Sequence, residues 1–400
     1  GGNENELGRP LQPELLLDGS IARLPLEEPL LPGGSLTVEL EWTAKIPREF
    51  ASRGGPSYGI FNYSQGVFTL ADGYPLLAVH DEEEGWQLDP VYSWGDAVFS
   101  SVGFYEAWIT VPQDQIVIAS GSELNRVSNP DGTVTYHYVS GPMRDFFFSV
   151  SSRFRRLTTW VGETQVNSYY LEGDELGGQA ALAVAARALR LFSERFGPYP
   201  YAELDVIETP LPWVGGVEYP GVVLISERLY GPPEYLAREE LLFAMIVSHE
   251  VAHQWWYGLV GNDVIEEPWL DEALATYSSG LYIEEFLGEE AFAELLESWW
   301  VEFERARAQL EVPVTAPLSE FPGGRGYYGI VYCGGALFYH ELRAQLGDEL
   351  FFAALREYLQ RFKYKIATTQ ELLDLLEEVA GRELDELYQR WLLMPAGGGG

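Results

Sequence analysis

The chain has 400 residues, comfortable for two domains, and 46% of them are hydrophobic, enough for a sizeable core and too many for global disorder. Against 61 acidic residues stand only 25 Lys and Arg, a net charge of −36, so the surface repels phosphate backbones and anionic membranes and no nucleic-acid partner is expected. The single cysteine, Cys333, excludes an internal disulfide.

Gly1–Glu6 reads as a polar spacer and 396–400 as a Gly-rich tail, and the chain starts on Gly rather than Met. A processed product of an exported or surface-anchored bacterial protein is the expectation. The first part of the chain then reads as β structure. Leu36, Val38, Leu40 and Trp42 alternate with polar residues, as do Tyr105, Ala107, Ile109 and Val111, and again Val134, Tyr136 and Tyr138. Turn signals at Pro32-Gly33-Gly34 and Asn129–Gly132 separate the runs. Arg144–Ser152, with three consecutive Phe, predicts a buried strand. Residues 1–165 are therefore read as an antiparallel β-sandwich or saddle-like domain.

From there the texture turns helical. Ala180–Phe196 is rich in Ala and Leu and stops at Gly197-Pro198, a helix end. A short strand follows at Leu204–Ile207. Pro232-Pro233 opens a helix predicted to run to about Tyr257, and another starts near Pro268. Further helices are predicted over 289–310, 329–346, 348–362, 369–380 and 384–393, the fourth of these opened by a Thr368/Glu371 capping box. The longest apolar run here, Leu241–Val247, has seven residues against the ~18 that a membrane span needs. Residues 166–395 form the second expected domain, giving an α+β chain.

Two of the five histidines sit in His249-Glu250-Val251-Ala252-His253. At i and i+4 on a helix, both imidazoles lie on one face and can reach one metal ion, while Glu250 is rotated about 100° and can sit beside it as a base. A His-Glu-x-x-His string arises by chance roughly 0.01 times in a chain of this composition. Two histidines leave a catalytic zinc one protein ligand short. Glu272, 19 positions after His253 at the start of the next helical pattern, can fold back to supply it. The apolar run before the motif and Trp255-Trp256 after it make this helix a buried one, where His and Glu need a partner such as a metal.

This pair of motifs resembles the aminopeptidase N and leukotriene hydrolase family of zinc peptidases, gluzincins with a thermolysin-like, mainly helical catalytic domain. Gly215-Gly216-Val217-Glu218-Tyr219 is similar to the family's Gly-x-Met-Glu-Asn exopeptidase motif, Phe196–Tyr201 to the stretch that leads into it, and Tyr332–Leu337 to the segment carrying its transition-state tyrosine. The resemblance covers about 35–395. It implies one Zn2+ per chain on His249, His253 and Glu272, with Glu250 as general base and then proton donor, and Tyr332 as donor to the oxyanion. It implies Glu218 as the site for the substrate's free ammonium and Gly215 and Gly216 as backbone that meets the peptide. Tyr327 and Tyr328 compete with Tyr332 on sequence alone. A second amine-site carboxylate is expected from about Glu83–Asp89.

Departures are Tyr219 for Asn, Val217 for Met, Asp271 for Asn and Ala273-Leu274 for Gly-Phe. No counterpart of the relatives' large C-terminal helical domain precedes Gly400, which implies a more open cleft. The implied function is a zinc aminopeptidase acting on peptides with free N-termini. A zinc endopeptidase of thermolysin-like mechanism and a non-catalytic peptide-binding relative are the alternatives.

Overall fold

The computed structural model describes residues 11–48, 59–81, 85–88, 92, 94–96, 99 and onward to 393. Three sheets are stacked in the first half of the chain. A three-stranded antiparallel sheet has Thr133–Val139 at its centre, between Glu106–Pro112 and Ser122–Ser128. A four-stranded antiparallel sheet runs in the order Phe61–Ser64, Val67–Leu70, Phe148–Ser151, Ile116–Ala119. Val134, Tyr136 and Tyr138 of the first sheet share a core with Val117, Ala119 and Val150 of the second, the face-to-face packing of a sandwich.

The opposite face of the four-stranded sheet packs on a five-stranded mixed sheet. Its order is Phe154–Val161, Thr164–Leu171, Glu203–Thr209, Val222–Ser226, Gly216–Tyr219, with parallel pairing in the middle and Gly216–Tyr219 at an edge. The run Val222–Ile225 shows why it forms here. Val222 and Leu224 face the sheet layer, Val223 and Ile225 face the helices, and all four are buried, so an unbroken apolar run satisfies both faces. The expected division at residue 165 falls inside this sheet, whose first two strands pair from Phe154 to Leu171.

Helices cover the far face. They are α1 (Glu175–Arg195), α2 (Pro233–Arg238), α3 (Glu240–Ala252), α4 (Trp269–Phe286), α5 (Glu289–Arg307), α6 (Gly324–Tyr327), α7 (Gly335–Phe362), α8 (Thr369–Ala380) and α9 (Asp385–Tyr388). The α+β class is as the sequence reads. The Thr368/Glu371 capping box is formed at α8.

Three local expectations change. Leu36, Val38, Leu40 and Trp42 are 43–53% exposed and belong to no strand among the described residues. Alternation makes one face apolar, but a strand also needs a neighbour to take its backbone hydrogen bonds. The helix expected from Pro232 to Tyr257 breaks at Glu239 and ends at Ala252. Beyond it the chain doubles back, with Tyr257 at φ 85°, so that Trp255 and Trp256 can bury against Phe192 and Phe196. Finally, residues 328–334 form a wide π-helical turn rather than the start of an ordinary helix.

Arg144 clasps the sheets to the helical half. Its buried guanidinium donates to the carbonyls of Ser100 (3.1 Å), Tyr257 (2.6 Å) and Lys365 (2.5 Å). Gly261 lies against it: a Cβ there would stand 2.1 Å from the guanidinium carbon. Arg144→Met should leave the carbonyls of Ser100 and Tyr257 without their donor, with Lys365 keeping only the Gly261 N–H, and destabilise the fold by about 3 kcal/mol or more. Gly261→Ala should also destabilise by displacing the guanidinium. Thermal unfolding midpoints check both, and a wild-type midpoint in either variant refutes the clasp.

Candidate metal centre

Helix α3 presents His249 and His253 one turn apart, and α4 packs against it with Glu272 in its first turn. The three side chains converge. Nε2 of His249 and Nε2 of His253 are 3.1 Å apart, and Oε2 of Glu272 lies 3.3 Å from the first and 3.4 Å from the second. A tetrahedral ion with bonds of about 2.0–2.1 Å holds its ligand atoms about 3.3–3.4 Å apart, so the triangle matches one face of such a site. Among the described residues this is the one group of three or more such side chains able to hold a metal.

The outer contacts fit the same reading. Nδ1 of His253 lies 3.1 Å from the carbonyl of Trp256, which takes its N–H and leaves Nε2 as the lone-pair atom. Oε2 of Glu272 is buried and accepts no hydrogen bond, an expensive state for a carboxylate unless a cation takes its charge. The hydroxyl of Tyr332 donates to the other oxygen, Oε1, and the Tyr332 ring stacks on His249 at 5.8 Å. Tyr332 comes from the π-helical turn 328–334. Tyr327 instead packs edge-on against the Tyr332 ring, and Tyr328 pairs with Cys333, whose thiol burial pushes up to about 12.

Acidic groups crowd the centre. Burial pushes the Glu250 carboxyl well above its usual range, reinforced by Glu218, and does the same to Asp96 with help from Glu218 and Glu272. Glu218 is raised by burial as well, and Asp271 is pushed up to about 8 by burial and by Glu272. For Glu272 burial acts upward but is outweighed by the two imidazoles beside it, which hold it down at about 2. Burial lowers His249, whereas in His253 the pull of Glu218 and Glu272 overcomes burial and raises it. Three buried carboxyl groups, Glu250, Asp271 and Glu272, and two partly buried ones, Asp96 and Glu218, surround two imidazoles, an excess of negative charge that a divalent ion on the triangle would offset.

The edge strand completes the arrangement. Glu218 points back toward the centre, with Oε1 3.9 Å from Nδ1 of His253. Gly216 lies directly over Glu250: a Cβ at 216 would stand 2.4–2.6 Å from the Glu250 side chain, so only glycine lets the strand pass this close to it. Gly215 lies over Ile246 in the same way. All eight residues expected at the site are thus gathered in one place.

Asp96 is the residue that sequence reasoning missed. The segment expected to bring a second carboxylate, Glu83–Asp89, lies partly outside the described residues. Among the described residues, Asp96 is the carboxyl from the first hundred that interacts with Glu218 and Glu272. Nothing local in Gly95-Asp96 signals this, because the contact spans more than 100 positions. His80, His137 and His340 lie elsewhere, against Trp86, Glu106 and Tyr277 respectively.

Tyr332→Phe should weaken metal binding by about tenfold, since it frees the carboxylate it holds. Competition titration against a chromophoric chelator measures this, and unchanged affinity would show that the hydroxyl does not position Glu272.

The chain is similar to several known proteins. Rice aminopeptidase M1-A is 31% identical over 233 residues, covering 57% of this chain and 26% of that protein. The alanine/arginine aminopeptidase of Saccharomyces cerevisiae is 30% identical over 236 residues, 56% of this chain and 27% of that one. The chain thus spans about a quarter of the length of these relatives. A mutant M1 zinc metallopeptidase from Deinococcus radiodurans superimposes with a TM-score of 0.59 at 23% identity, covering 73% of this chain and 65% of that one, which shows the common fold. Residues 180–391, over half of the sequence and including the whole metal centre except Asp96, match the peptidase family M1 domain, and the chain belongs to that family.

Proposed function

We propose that this protein is a zinc aminopeptidase that removes N-terminal residues from peptides. The observation that carries the reading is Glu218, a partly buried carboxylate set beside the metal-ligand triangle by the same edge strand that crosses Glu250. A carboxylate at that place binds a free ammonium and measures one residue from the chain end to the reacting carbonyl. Asp96, interacting with Glu218, adds a second negative group for the same ammonium. The named aminopeptidases among its relatives support the assignment.

His249, His253 and Glu272 would hold a zinc ion, which would supply Lewis acidity toward the scissile carbonyl and lower the pKa of water. The protein's own groups do the rest. Glu250, raised by burial, is poised to take a proton from the attacking water and return it to the leaving amine. Tyr332, whose hydroxyl now donates to Glu272, is placed to give that hydrogen bond to the developing oxyanion, worth about 3–4 kcal/mol for donors of this kind. The edge at Gly216–Glu218, which no further strand covers among the described residues, offers main-chain groups to an extended peptide.

Hydrolysis of aminoacyl anilides and free peptides, with no turnover of the same peptides acetylated at the N-terminus, is the expected result. Equal rates on free and blocked substrates would replace the aminopeptidase reading with an endopeptidase one. Glu250→Gln should retain its metal and lose at least about 100-fold in kcat. Full activity in that variant would remove Glu250 from the chemistry. Glu218→Gln should chiefly raise KM for substrates with a free amine.

A further inference from the structure

We propose that Gln254 is a positioning residue that sets the spacing between Glu218 and the metal ligands, and so fixes how far a bound chain end stands from the ion. The inference rests on the aminopeptidase reading, which gives Glu218 a spacing to keep.

The edge strand Gly216–Tyr219 turns into Val222–Ser226 through Pro220 and Gly221, with Tyr219 paired to Val222. Gly221 has φ 77°, the left-handed value that suits the third position of a tight turn after proline. Pro220 has no N–H, so of the two residues in the bend only Gly221 brings a main-chain donor that needs a partner. Its carbonyl is taken by the N–H of Asp205 at 2.9 Å.

Gln254 takes up that donor. Its Oε1 accepts from the Gly221 N–H at 2.8 Å, and its Nε2 donates to the carbonyl of Tyr219 at 2.9 Å. An N–H only donates and a carbonyl only accepts, so these partners fix which way the amide faces. The side chain is 1% exposed, and the Tyr199 hydroxyl stands 3.5 Å from Oε1 while donating to the carbonyl of Glu203 at 3.0 Å.

Both ends of this link adjoin functional side chains. Tyr219 follows Glu218, and Gln254 follows His253. The main chain at 254 is held as well: its N–H donates to the carbonyl of Val251 at 3.1 Å, and the Gly258 N–H donates to that of His253 at 2.9 Å. One buried amide therefore joins the strand that carries Glu218 to the end of α3 that carries a metal ligand. Across that gap Oε1 of Glu218 stands 3.9 Å from Nδ1 of His253. The contacts at Gly215 and Gly216 limit how closely the strand approaches α3, whereas the two hydrogen bonds resist its moving away.

The test uses two metal-binding inhibitors that differ only in the amine, leucine hydroxamate and 4-methylpentanohydroxamate. The ratio of their Ki values reads what the ammonium gains at Glu218. The wild type should bind the amine form more tightly by about tenfold or more. Gln254→Met keeps the length and loses both hydrogen bonds. It should cut that preference about tenfold, while zinc affinity in a chelator competition stays within about threefold of wild type. Glu218→Gln should cut the preference to a similar degree, and the double variant should fall no further than Glu218→Gln alone, since one residue acts through the other. Gln254→Asn, an amide one methylene shorter, should lie between wild type and Gln254→Met. General damage to the site weakens both inhibitors and leaves their ratio in place. A wild-type ratio in both Gln254 variants, or additive losses in the double variant, overturns the proposal. A wild type that binds the two inhibitors alike overturns the aminopeptidase reading, and the role of Gln254 with it, so the two failures are told apart.

Discussion

The structure depends on the mutual repulsion of buried and partly buried carboxylates. Asp96, Glu218, Glu250, Asp271 and Glu272 are gathered into a low-dielectric region where each would prefer a proton or a cation. Only two imidazoles are at hand. A divalent ion on His249, His253 and Glu272 would relieve the conflict. Glu218 and Asp96 would remain as further acidic groups beside it.

Geometry makes that concentration of charge usable. Helix α4 is buried from Trp269 to Ile283, so the backbone that carries Glu272 has no freedom to drift. Helix α3 and its C-cap residue carry His249, Glu250 and His253, and the edge strand is pressed against the helix at Gly216. The π-helical turn at 328–334 gives Tyr332 an approach that a regular helix would not, a frequent use of such wide turns near chemistry.

Much of this was legible in the sequence because it is periodic or local. The His249/His253 spacing, the capping box at Thr368 and the alternation in 133–139 each follow from a fixed repeat, and each is realised. Glu218, Tyr332 and the two glycines were reached through resemblance, since one carboxylate or one of 24 tyrosines carries no signal by itself. What sequence could not give depends on contacts between distant segments. Asp96 meets Glu218 only after the sheets have stacked. The break at Glu239 and the early end of α3 answer to the burial of Trp255 and Trp256, which local propensity does not register. Leu36–Trp42 shows the converse, a strand-like pattern with no strand beside it among the described residues.

Arg144 has a consequence of another kind. The three groups that accept its hydrogen bonds, at 100, 257 and 365, are all main-chain oxygens. A tie made to the backbone does not read side-chain identity. The loop at 365 can therefore change its side chains while the arginine continues to dictate its route, whereas the loop at 257–261 is held to its present composition by the Tyr257 ring under the guanidinium and by the space that Gly261 leaves for it.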